Sequence, residues 1–307
     1  MRKPPRIPLL AASLLLSAVS VAGPALAAPA PVPHVRAPAP LPPFKDDLFA
    51  YPGILRSADK GDYKVIDYNE MRDINGRDIV PEKHVKDEYV SLKVRAFQKD
   101  ITVQTAAGPV KTMAAGKREG AAFVVIYLHG RGGNRQQGMN DLTFGGNFNR
   151  IKNLAVLNGG LYLTPDFTDF ADRGAAEIAG LVEAERALSP TAPIILACGS
   201  QGGMLCWRTA ADAKAGNTLS GLILLGSLWD DGFFKSPAFR RRAPVFFGHG
   251  SRDPVFAIDR QEAFYHAIRK RAPGYPVQFR RFETGNHGTP IRMADWREML
   301  NWIFAKL

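Results

Sequence analysis

The chain has 307 residues, of which 46% are hydrophobic and 22% are charged, and its formal net charge is +11. These proportions are ordinary for a globular protein and allow a sizeable core. The length fits one large α/β domain or two small ones, and two cysteines are too few for a disulfide scaffold.

The first 27 residues have the pattern of a secretory signal peptide. Basic residues precede an apolar run at 9–21, and Ala-Leu-Ala at 25–27 offers the small residues that a signal peptidase recognises. The run is short for a membrane span, and no later stretch is long enough. We therefore expect export, cleavage near Ala27, and a periplasmic or secreted mature chain without a transmembrane segment. An uncleaved N-terminal anchor is the alternative.

The segment after this leader is rich in alanine and proline. Residues 28–43, APAPVPHVRAPAPLPP, predict an extended linker with nothing to bury. We expect folded sequence to begin between residues 44 and 62, and a single domain to occupy 44–307.

Basic residues cluster at 240–242, 269–271 and 280–281. We interpret these clusters as solvated helix ends and loops; the alternative is attraction to an anionic envelope surface or an acidic substrate. No nucleic-acid-binding motif accompanies the charge, so we expect no nucleic-acid partner. The sequence does not indicate an oligomeric state.

The order of apolar patterns predicts the fold class. Strand-like runs occur at 89–97, 101–105, 122–130, 160–167, 193–200, 221–228, 244–250 and 277–283. The first two alternate like antiparallel strands, whereas those from 122 onward are mainly continuous, as in parallel strands covered on both faces. Helical patterns lie between and after them, at 147–158, 175–188, 204–215, 259–271 and 294–307. The sequence predicts an α/β fold with a mostly parallel, twisted sheet, antiparallel N-terminal strands and helices on both faces.

One serine lies where a strand turns sharply into a helix, in the stretch ACGSQGG. A nucleophile elbow needs small residues two positions before and two positions after the nucleophile, because the chain folds back there. Gly199 and Gly202 flank Ser200, while Cys198 stands where the strict pattern has glycine. The alternative is a glycine-rich turn that binds phosphate.

An acid and a base follow two later strands. Asp253 lies in GSRDPV after the run at 244–250, and His287 lies in GNHG after the last run. In this arrangement the histidine takes the proton of Ser200, and the aspartate fixes its tautomer. Asp253 could instead only start a turn before proline, and His287 could be an ordinary polar loop residue.

A glycine-rich loop, HGRGG, follows the run at 122–130. Such a loop can supply a backbone N–H to an oxyanion, with a second N–H from the residue after the nucleophile. The expected donors are the N–H groups of Arg131 and Gln201. We expect His129 to shape this loop, together with Gly130, rather than to take part in catalysis.

Other candidate residues fit less well. Ser227 and Ser251 also follow strands, but no glycine lies two positions after either. His249 and Asp253 could suggest a metal site, yet no third ligand has convincing spacing. We expect no metal and no cofactor.

These motifs together resemble a known family. YLHGRGGN, CGSQGG, and GSRDPV followed by GNHG are similar to α/β-hydrolases of the phospholipase/carboxylesterase group, which includes the acyl-protein thioesterases and lies near dienelactone hydrolase. The resemblance covers about 120–307, and residues 44–119 carry no motif that we can assign. It implies the α/β-hydrolase fold and a metal-free serine hydrolase that acts on a small-molecule or acylated ester or thioester substrate. A serine peptidase or amidase with the same residues, and a non-catalytic envelope-binding protein with this fold, are the alternatives.

Four further expectations concern the surroundings of Ser200. The segment 229–244 is too short for a large lid, so we expect an open cleft. Its aromatic residues, Trp229, Phe233, Phe234 and Phe239, either form a pocket wall or pack a short helix on the sheet. We expect DFTDFAD at 166–172 to cap a helix rather than to line the cleft. Cys198 and Cys206 are expected to be free thiols, although export would permit a disulfide.

Overall fold

The structure is a computed structural model that describes Met1, residues 35–79 and residues 84–307. The chain divides into two compact units, Met1–Pro31 and Val32–Leu307. The predicted signal peptide lies outside the described residues apart from Met1. All elements described below belong to the second unit.

The strands of the described residues are β1 Ile54–Ala58, β2 Tyr63–Ile66, β3 Asp78–Ile79, β4 His84–Val85, β5 Gln98–Thr105, β6 Gly108–Gly116, β7 Val124–Leu128, β8 Leu161–Pro165, β9 Ile194–Gly199, β10 Leu219–Leu225, β11 Val245–Gly250 and β12 Val277–Phe282. The α-helices are α1 Asp46–Phe49, α2 Asn147–Leu157, α3 Asp172–Leu188, α4 Gly203–Ala211, α5 Ala215–Thr218, α6 Pro237–Arg240, α7 Ile258–Arg271, α8 Thr289–Met293 and α9 Trp296–Phe304. Within the described ranges, no helix is both long and apolar enough to cross a membrane.

Ten strands form one mixed sheet in the order β1-β2-β12-β11-β10-β9-β7-β8-β6-β5. The strands from β2 to β8 in this order are parallel. β1 pairs antiparallel with β2 at one edge, and the β5–β6 hairpin pairs antiparallel with β8 at the other. The predicted mostly parallel sheet with antiparallel strands is therefore confirmed.

The sheet is covered on both faces, and its central strands are apolar at almost every position. In β7, Val124 and Ile126 belong to one core cluster, and Val125 and Tyr127 belong to the other. Helices α3, α4 and α7 contribute buried side chains to the first cluster, and α2 and α9 contribute them to the second. Such two-sided burial is the reason that continuous apolar runs predicted these strands correctly.

The closing helix, α9, shows how the sequence sets one of these layers. Its apolar residues recur with helical spacing and are buried, namely Trp296, Met299, Leu300 and Ile303. Asp295 precedes the first turn, and its carboxylate accepts the backbone N–H groups of Arg297 and Glu298 at 3.1 Å each. This N-cap satisfies N–H groups that have no partner within the helix, so α9 begins at a defined residue.

The prediction of a strand at 89–97 is wrong. Residues 87–89 and 92–97 form 3₁₀ turns instead. The side chain of Asn149 in α2 accepts the N–H of Ser91 and donates to its carbonyl, at 2.8 and 3.1 Å, and so takes the backbone bonds that a neighbouring strand would need. The predicted run at 101–105 lies within β5. Its antiparallel partner is β6, a strand that the sequence patterns did not predict.

The end of the predicted linker packs on the folded unit. Leu41 is only 2% exposed. Its N–H donates to Asn301 Oδ1 at 2.7 Å, and its carbonyl accepts from Arg297 Nε at 2.7 Å. The proline and alanine composition did not predict this contact. It depends on a single buried leucine, whose two backbone hydrogen bonds attach the segment to α9.

The two cysteines form a disulfide, so the expectation of free thiols is wrong. Cys198 lies in β9 and Cys206 in α4, and both are fully buried. The sharp turn between these elements brings their Cα atoms to 6.5 Å, a separation that a disulfide spans. The bond ties the strand before Ser200 to the helix after it.

The three basic clusters differ in their surroundings. Arg280 is 1% exposed and pairs with Glu298 at 2.9 Å. Arg281 pairs with Glu283 at 2.8 Å and Glu262 at 3.2 Å. These two arginines belong to β12, so the interpretation of this cluster as solvated is wrong. Most side chains of the clusters at 240–242 and 269–271 are exposed.

We predict that Leu41→Ala lowers the free energy of unfolding by about 2–3 kcal/mol, because a buried Leu→Ala change loses burial and leaves a cavity. Urea unfolding followed by circular dichroism measures the change. Leu55→Ala is the matched control, since Leu55 is 60% exposed, and a shift below about 0.5 kcal/mol is expected for it. Equal effects of the two variants would contradict the observed packing of this segment.

We predict that Cys198→Ala, Cys206→Ala and the double variant are each destabilised by about 2.5 kcal/mol, because the disulfide closes a loop of about nine residues in the unfolded chain. The double variant loses no more than either single variant, since each change already removes the bond. Alkylation of the unfolded wild type without reductant should add no label, and uptake of two labels would disprove the disulfide.

Candidate active site

The carboxyl ends of three parallel strands carry the polar residues singled out in the sequence. β9 ends at Gly199, directly before Ser200, and β11 and β12 lead into the loops with Asp253 and His287. Because β9, β10, β11 and β12 are neighbours in the sheet, the residues after their ends converge at one edge. The structure brings all three side chains together.

Ser200 lies on a strained turn. Its φ is 53°, in the left-handed region that residues other than glycine rarely adopt. A Cβ atom on Gly202 would lie 2.5 Å from the carbonyl oxygen of Leu128, and one on Gly199 would lie 2.5 Å from the hydroxyl of Tyr127. Position 202 therefore requires glycine, because backbone atoms block a side chain there, and Gly199 is closely approached by the side chain of Tyr127, so the turn is tight. Such strain concentrates at functional sites.

A hydrogen-bonded chain links the three side chains. His287 Nε2 lies 2.8 Å from Ser200 Oγ, and His287 Nδ1 lies 2.8 Å from Asp253 Oδ2. An ionised carboxylate only accepts hydrogen bonds, so Nδ1 carries the imidazole proton and Nε2 accepts from the serine hydroxyl. This tautomer can remove the proton of Ser200.

The carboxylate of Asp253 has several donors. Its side chain is fully buried, and its Oδ1 accepts the backbone N–H groups of Val255 and Phe256 at 2.8 and 3.0 Å. Burial raises the pKa of this carboxyl, but the hydrogen bonds from His287 and the two N–H groups outweigh burial and lower it. Asp253 is therefore ionised at neutral pH and can stabilise a positive charge on His287.

A second histidine contacts the same carboxylate, and sequence reasoning missed this role. His249 Nε2 lies 2.8 Å from the carbonyl oxygen of Phe256 and 3.3 Å from Asp253 Oδ2. Both are acceptors, so Nε2 carries a proton, and burial lowers the pKa of His249 and keeps the ring neutral. The spacing of four residues between His249 and Asp253 was the available signal, and it suggested only an incomplete metal site.

Ser227 is hydrogen-bonded to the backbone of the serine turn. Its hydroxyl is buried and donates to the carbonyl oxygen of Ser200 at 2.7 Å. Ser251 donates to Glu283 and accepts the N–H of Thr284, at 3.2 and 2.8 Å. Neither serine contacts His287 through its hydroxyl, in agreement with the weaker sequence patterns around them.

The loop at 129–133 passes close over Ser200. A Cβ atom on Gly130 would lie 2.8 Å from the Cβ of Ser200. His129 Nδ1 donates to the carbonyl of Gly130 at 2.8 Å, and its ring stacks on Phe167 with centroids 4.2 Å apart. Burial lowers the pKa of His129, so the ring is neutral. His129 thus connects the loop to Phe167, and its role in shaping the loop stays a prediction.

The sequence predicts that the backbone N–H groups of Arg131 and Gln201 bind an oxyanion. Arg131 lies in the loop over Ser200, and its N–H donates no hydrogen bond to the described part of the chain. Gln201 follows Ser200 in a short 3₁₀ helix, Ser200–Gly202, and the first N–H groups of a helix have no partner within it. Both groups are available to a ligand oxygen.

The segments around the site have mainly packing roles. In the segment 166–172, Asp169 accepts the N–H groups of Ala171 and Gly174 at 2.8 and 2.9 Å, so it binds the start of α3 from two residues before the N-cap, Ala171, which has no side-chain cap of its own. Phe167 and Phe170 of the same segment also pack on His129. Four aromatic residues of the 229–244 segment contribute to a core cluster, namely Trp229, Phe233, Phe234 and Phe239.

The site is open to solvent. The fully described segment between β10 and β11 contains only a 3₁₀ turn at 231–235 and α6, so no large lid is inserted there. The side chain of His287 is 26% exposed. Among the described residues, no three His, Cys, Asp or Glu side chains converge to hold a metal ion.

Solved structures with the same fold include esterases. The Pyrococcus furiosus esterase Pf2001 matches with a TM-score of 0.52 and 15% identity over 70% of this chain and 95% of that chain. A thermostable esterase matches with a TM-score of 0.53 and 15% identity over 69% of this chain and 64% of that chain. A putative alpha/beta hydrolase from Agrobacterium tumefaciens matches with a TM-score of 0.50 and 14% identity over 66% and 93%. At these identities the likeness concerns the fold alone.

Comparison with curated protein sequences finds no significant match. The family model described as "Alpha/beta hydrolase family" matches residues 125–305. This range is more than half of the chain and contains the strand ends that carry Ser200, Asp253 and His287. On this match, and with a sheet and strand-end site of the expected order, the chain belongs to the alpha/beta hydrolase family.

Proposed function

We propose that this protein is an exported serine hydrolase that cleaves a carboxylic ester or thioester through an acyl-enzyme on Ser200. The observation that carries the proposal is the continuous hydrogen-bonded chain from Asp253 through His287 to Ser200, with 2.8 Å at each link. A left-handed, half-buried serine in a glycine-bounded turn at the carboxyl edge of the sheet supports the same role.

The first half of the reaction acylates the serine. Ser200 Oγ attacks the carbonyl carbon of the substrate while His287 Nε2 takes its proton, and Asp253 stabilises the imidazolium that forms. The oxyanion accepts hydrogen bonds from the N–H groups of Arg131 and Gln201. The carbon–oxygen or carbon–sulfur bond then breaks, and His287 gives its proton to the leaving alcohol or thiol.

The second half releases the acid. A water molecule gives a proton to His287 and attacks the acyl carbon. His287 then gives this proton to Ser200 Oγ as the bond between the acyl carbon and Oγ breaks. The absence of a large lid between β10 and β11 leaves room for a small-molecule or acylated substrate. The resemblance to carboxylesterases and acyl-protein thioesterases supports esters and thioesters over amides.

Export is supported by two features. The N-terminal residues have the pattern of a cleaved leader, and the Cys198–Cys206 disulfide suits an oxidising compartment.

We predict that Ser200→Ala lowers the turnover of p-nitrophenyl acetate by at least about 10⁴-fold, because it removes the nucleophile, and that it abolishes labelling by a fluorophosphonate. Ser251→Ala is the matched control and keeps both activities, since Ser251 also follows a strand but contacts Glu283 instead. Undiminished turnover by Ser200→Ala would refute the proposal.

The same assay separates the alternatives. A panel of peptide amides with matched esters and thioesters should show faster turnover of the esters or thioesters. Faster cleavage of the amides would indicate a peptidase. A folded wild type that neither hydrolyses esters nor reacts with the fluorophosphonate would indicate a non-catalytic binding protein.

We predict that His249→Phe lowers kcat by about tenfold and leaves KM nearly unchanged, because it removes the hydrogen bond of Nε2 to the Phe256 carbonyl and the polar contact of Nε2 with the Asp253 carboxylate, 3.3 Å away. His249→Gln is the matched variant, since its Nε2–H can reach Asp253, and it should recover most of kcat. Equal loss in both variants, or a loss confined to KM, would show that His249 only fills space.

A further inference from the structure

Two basic clusters that are distant in sequence meet in one groove of the fold. The larger part of the groove has a volume of about 1070 Å³. We call it, together with the adjoining smaller pocket, the basic groove. Its basic side chains are Lys60, Arg241, Arg242, Arg269, Lys270 and Lys306.

The basic groove lies at the end of the sheet opposite to Ser200. Residues directly before β11 and β12, Pro244 and Pro276, line it, as does Leu219 at the start of β10. Ser200 instead follows the carboxyl end of β9. Because a strand rises about 3.3 Å per residue, six-residue strands separate the two ends by about 20 Å. The groove is therefore distinct from the proposed active site.

Most of the positive charge in the groove is not neutralised. Arg241 and Arg242 donate to backbone carbonyls, and neither meets a carboxylate among the described residues. The ammonium groups of Lys270 and Lys306 are exposed and have no ion pair in the described part of the chain. Only Arg269 is paired, with Asp59 and Asp62, at 3.4 and 3.3 Å.

The anionic groups that line the groove are fewer. They are Asp59, Asp62 and the carboxylate of Leu307, against six basic side chains. The contrast with Arg280 and Arg281, whose charges are compensated by glutamates, shows that the excess is local. A surface of this kind attracts an extended array of anions.

We infer that the basic groove binds the anionic headgroups of a lipid bilayer and holds the enzyme on a membrane surface. Charge complementarity carries this inference, because the groove offers cationic side chains that have no carboxylate partner among the described residues.

The aromatic residues of the groove favour a bilayer over a nucleic acid. Binding of single-stranded nucleic acid relies on exposed rings on which bases stack. Tyr275 is only 3% exposed and lies under the guanidinium of Arg242, 5.5 Å from its ring centroid. Trp302 is half-buried and packs on Phe246. A bilayer needs no such rings, because it is recognised by charge.

The experiment compares binding of the full-length chain to vesicles of phosphatidylcholine alone and with one quarter phosphatidylglycerol, in 0.1 M NaCl. The test variant is Lys270→Glu/Lys306→Glu, because these two side chains are exposed and make no hydrogen bond or ion pair within the described residues. The matched control is Lys93→Glu/Lys99→Glu, which changes the net charge equally on exposed residues of the 92–97 turn and β5, at the opposite edge of the sheet.

We predict that the wild type and the control bind the anionic vesicles in sedimentation and that the test variant binds at least about tenfold more weakly, because each basic residue near an anionic leaflet contributes about a fivefold factor. Raising NaCl to 0.5 M should remove the difference. Hydrolysis of a soluble ester should be equal in all three proteins, since the groove is far from Ser200.

Three results would overturn the inference. They are equal losses of binding in both variants, equal binding of the wild type to vesicles with and without the anionic lipid, and tighter binding to a 20-nucleotide RNA than to the anionic vesicles in the same salt. The binding measurement does not depend on hydrolysis, so it can fail or succeed independently of the proposed activity.

Discussion

The buried carboxylate of Asp253 is the group on which the arrangement of the site depends. An unpaired buried carboxylate is costly, and this one accepts hydrogen bonds from two backbone N–H groups and from His287, with the His249 ring 3.3 Å away. These groups come from β11, from the loop that follows it and from the loop after β12. The pairing of β11 with β12 in the sheet therefore brings together the groups that stabilise the buried charge.

The serine turn has a different requirement, which is to keep a strained residue in place. A left-handed serine costs about 1–3 kcal/mol and persists only where its surroundings determine it. Three contacts do so here: the hydrogen bond from Ser227, the close approach of Gly202 to β7, and the disulfide between Cys198 and Cys206. The cysteine at the position where the strict motif has glycine thus becomes part of the support of the turn.

The sequence predicted those parts whose physics is local or repetitive. Continuous apolar runs indicated the parallel strands, and the residues after their ends were expected to meet because parallel strands share a carboxyl edge. β1 was not predictable in this way, since its residues are almost all exposed. The contact between His249 and Asp253 was missed, because it forms only when the loop after β11 turns back toward the strand. The spacing of the two residues does not show that turn. The strand prediction at 89–97 was wrong because the side chain of Asn149 binds the backbone of Ser91 in place of a neighbouring strand. Such a long-range side-chain contact leaves no local sequence pattern.

The position of the disulfide also bears on the order in which the site is assembled. Its cysteines are separated by 8 positions in sequence, whereas Ser200 and His287 are separated by 87. Closing a short loop costs less conformational entropy than closing a long one. During folding in an oxidising environment, the bond around Ser200 can form while the chain is still largely open, and the acid and base then dock onto a serine turn whose two arms are already joined covalently.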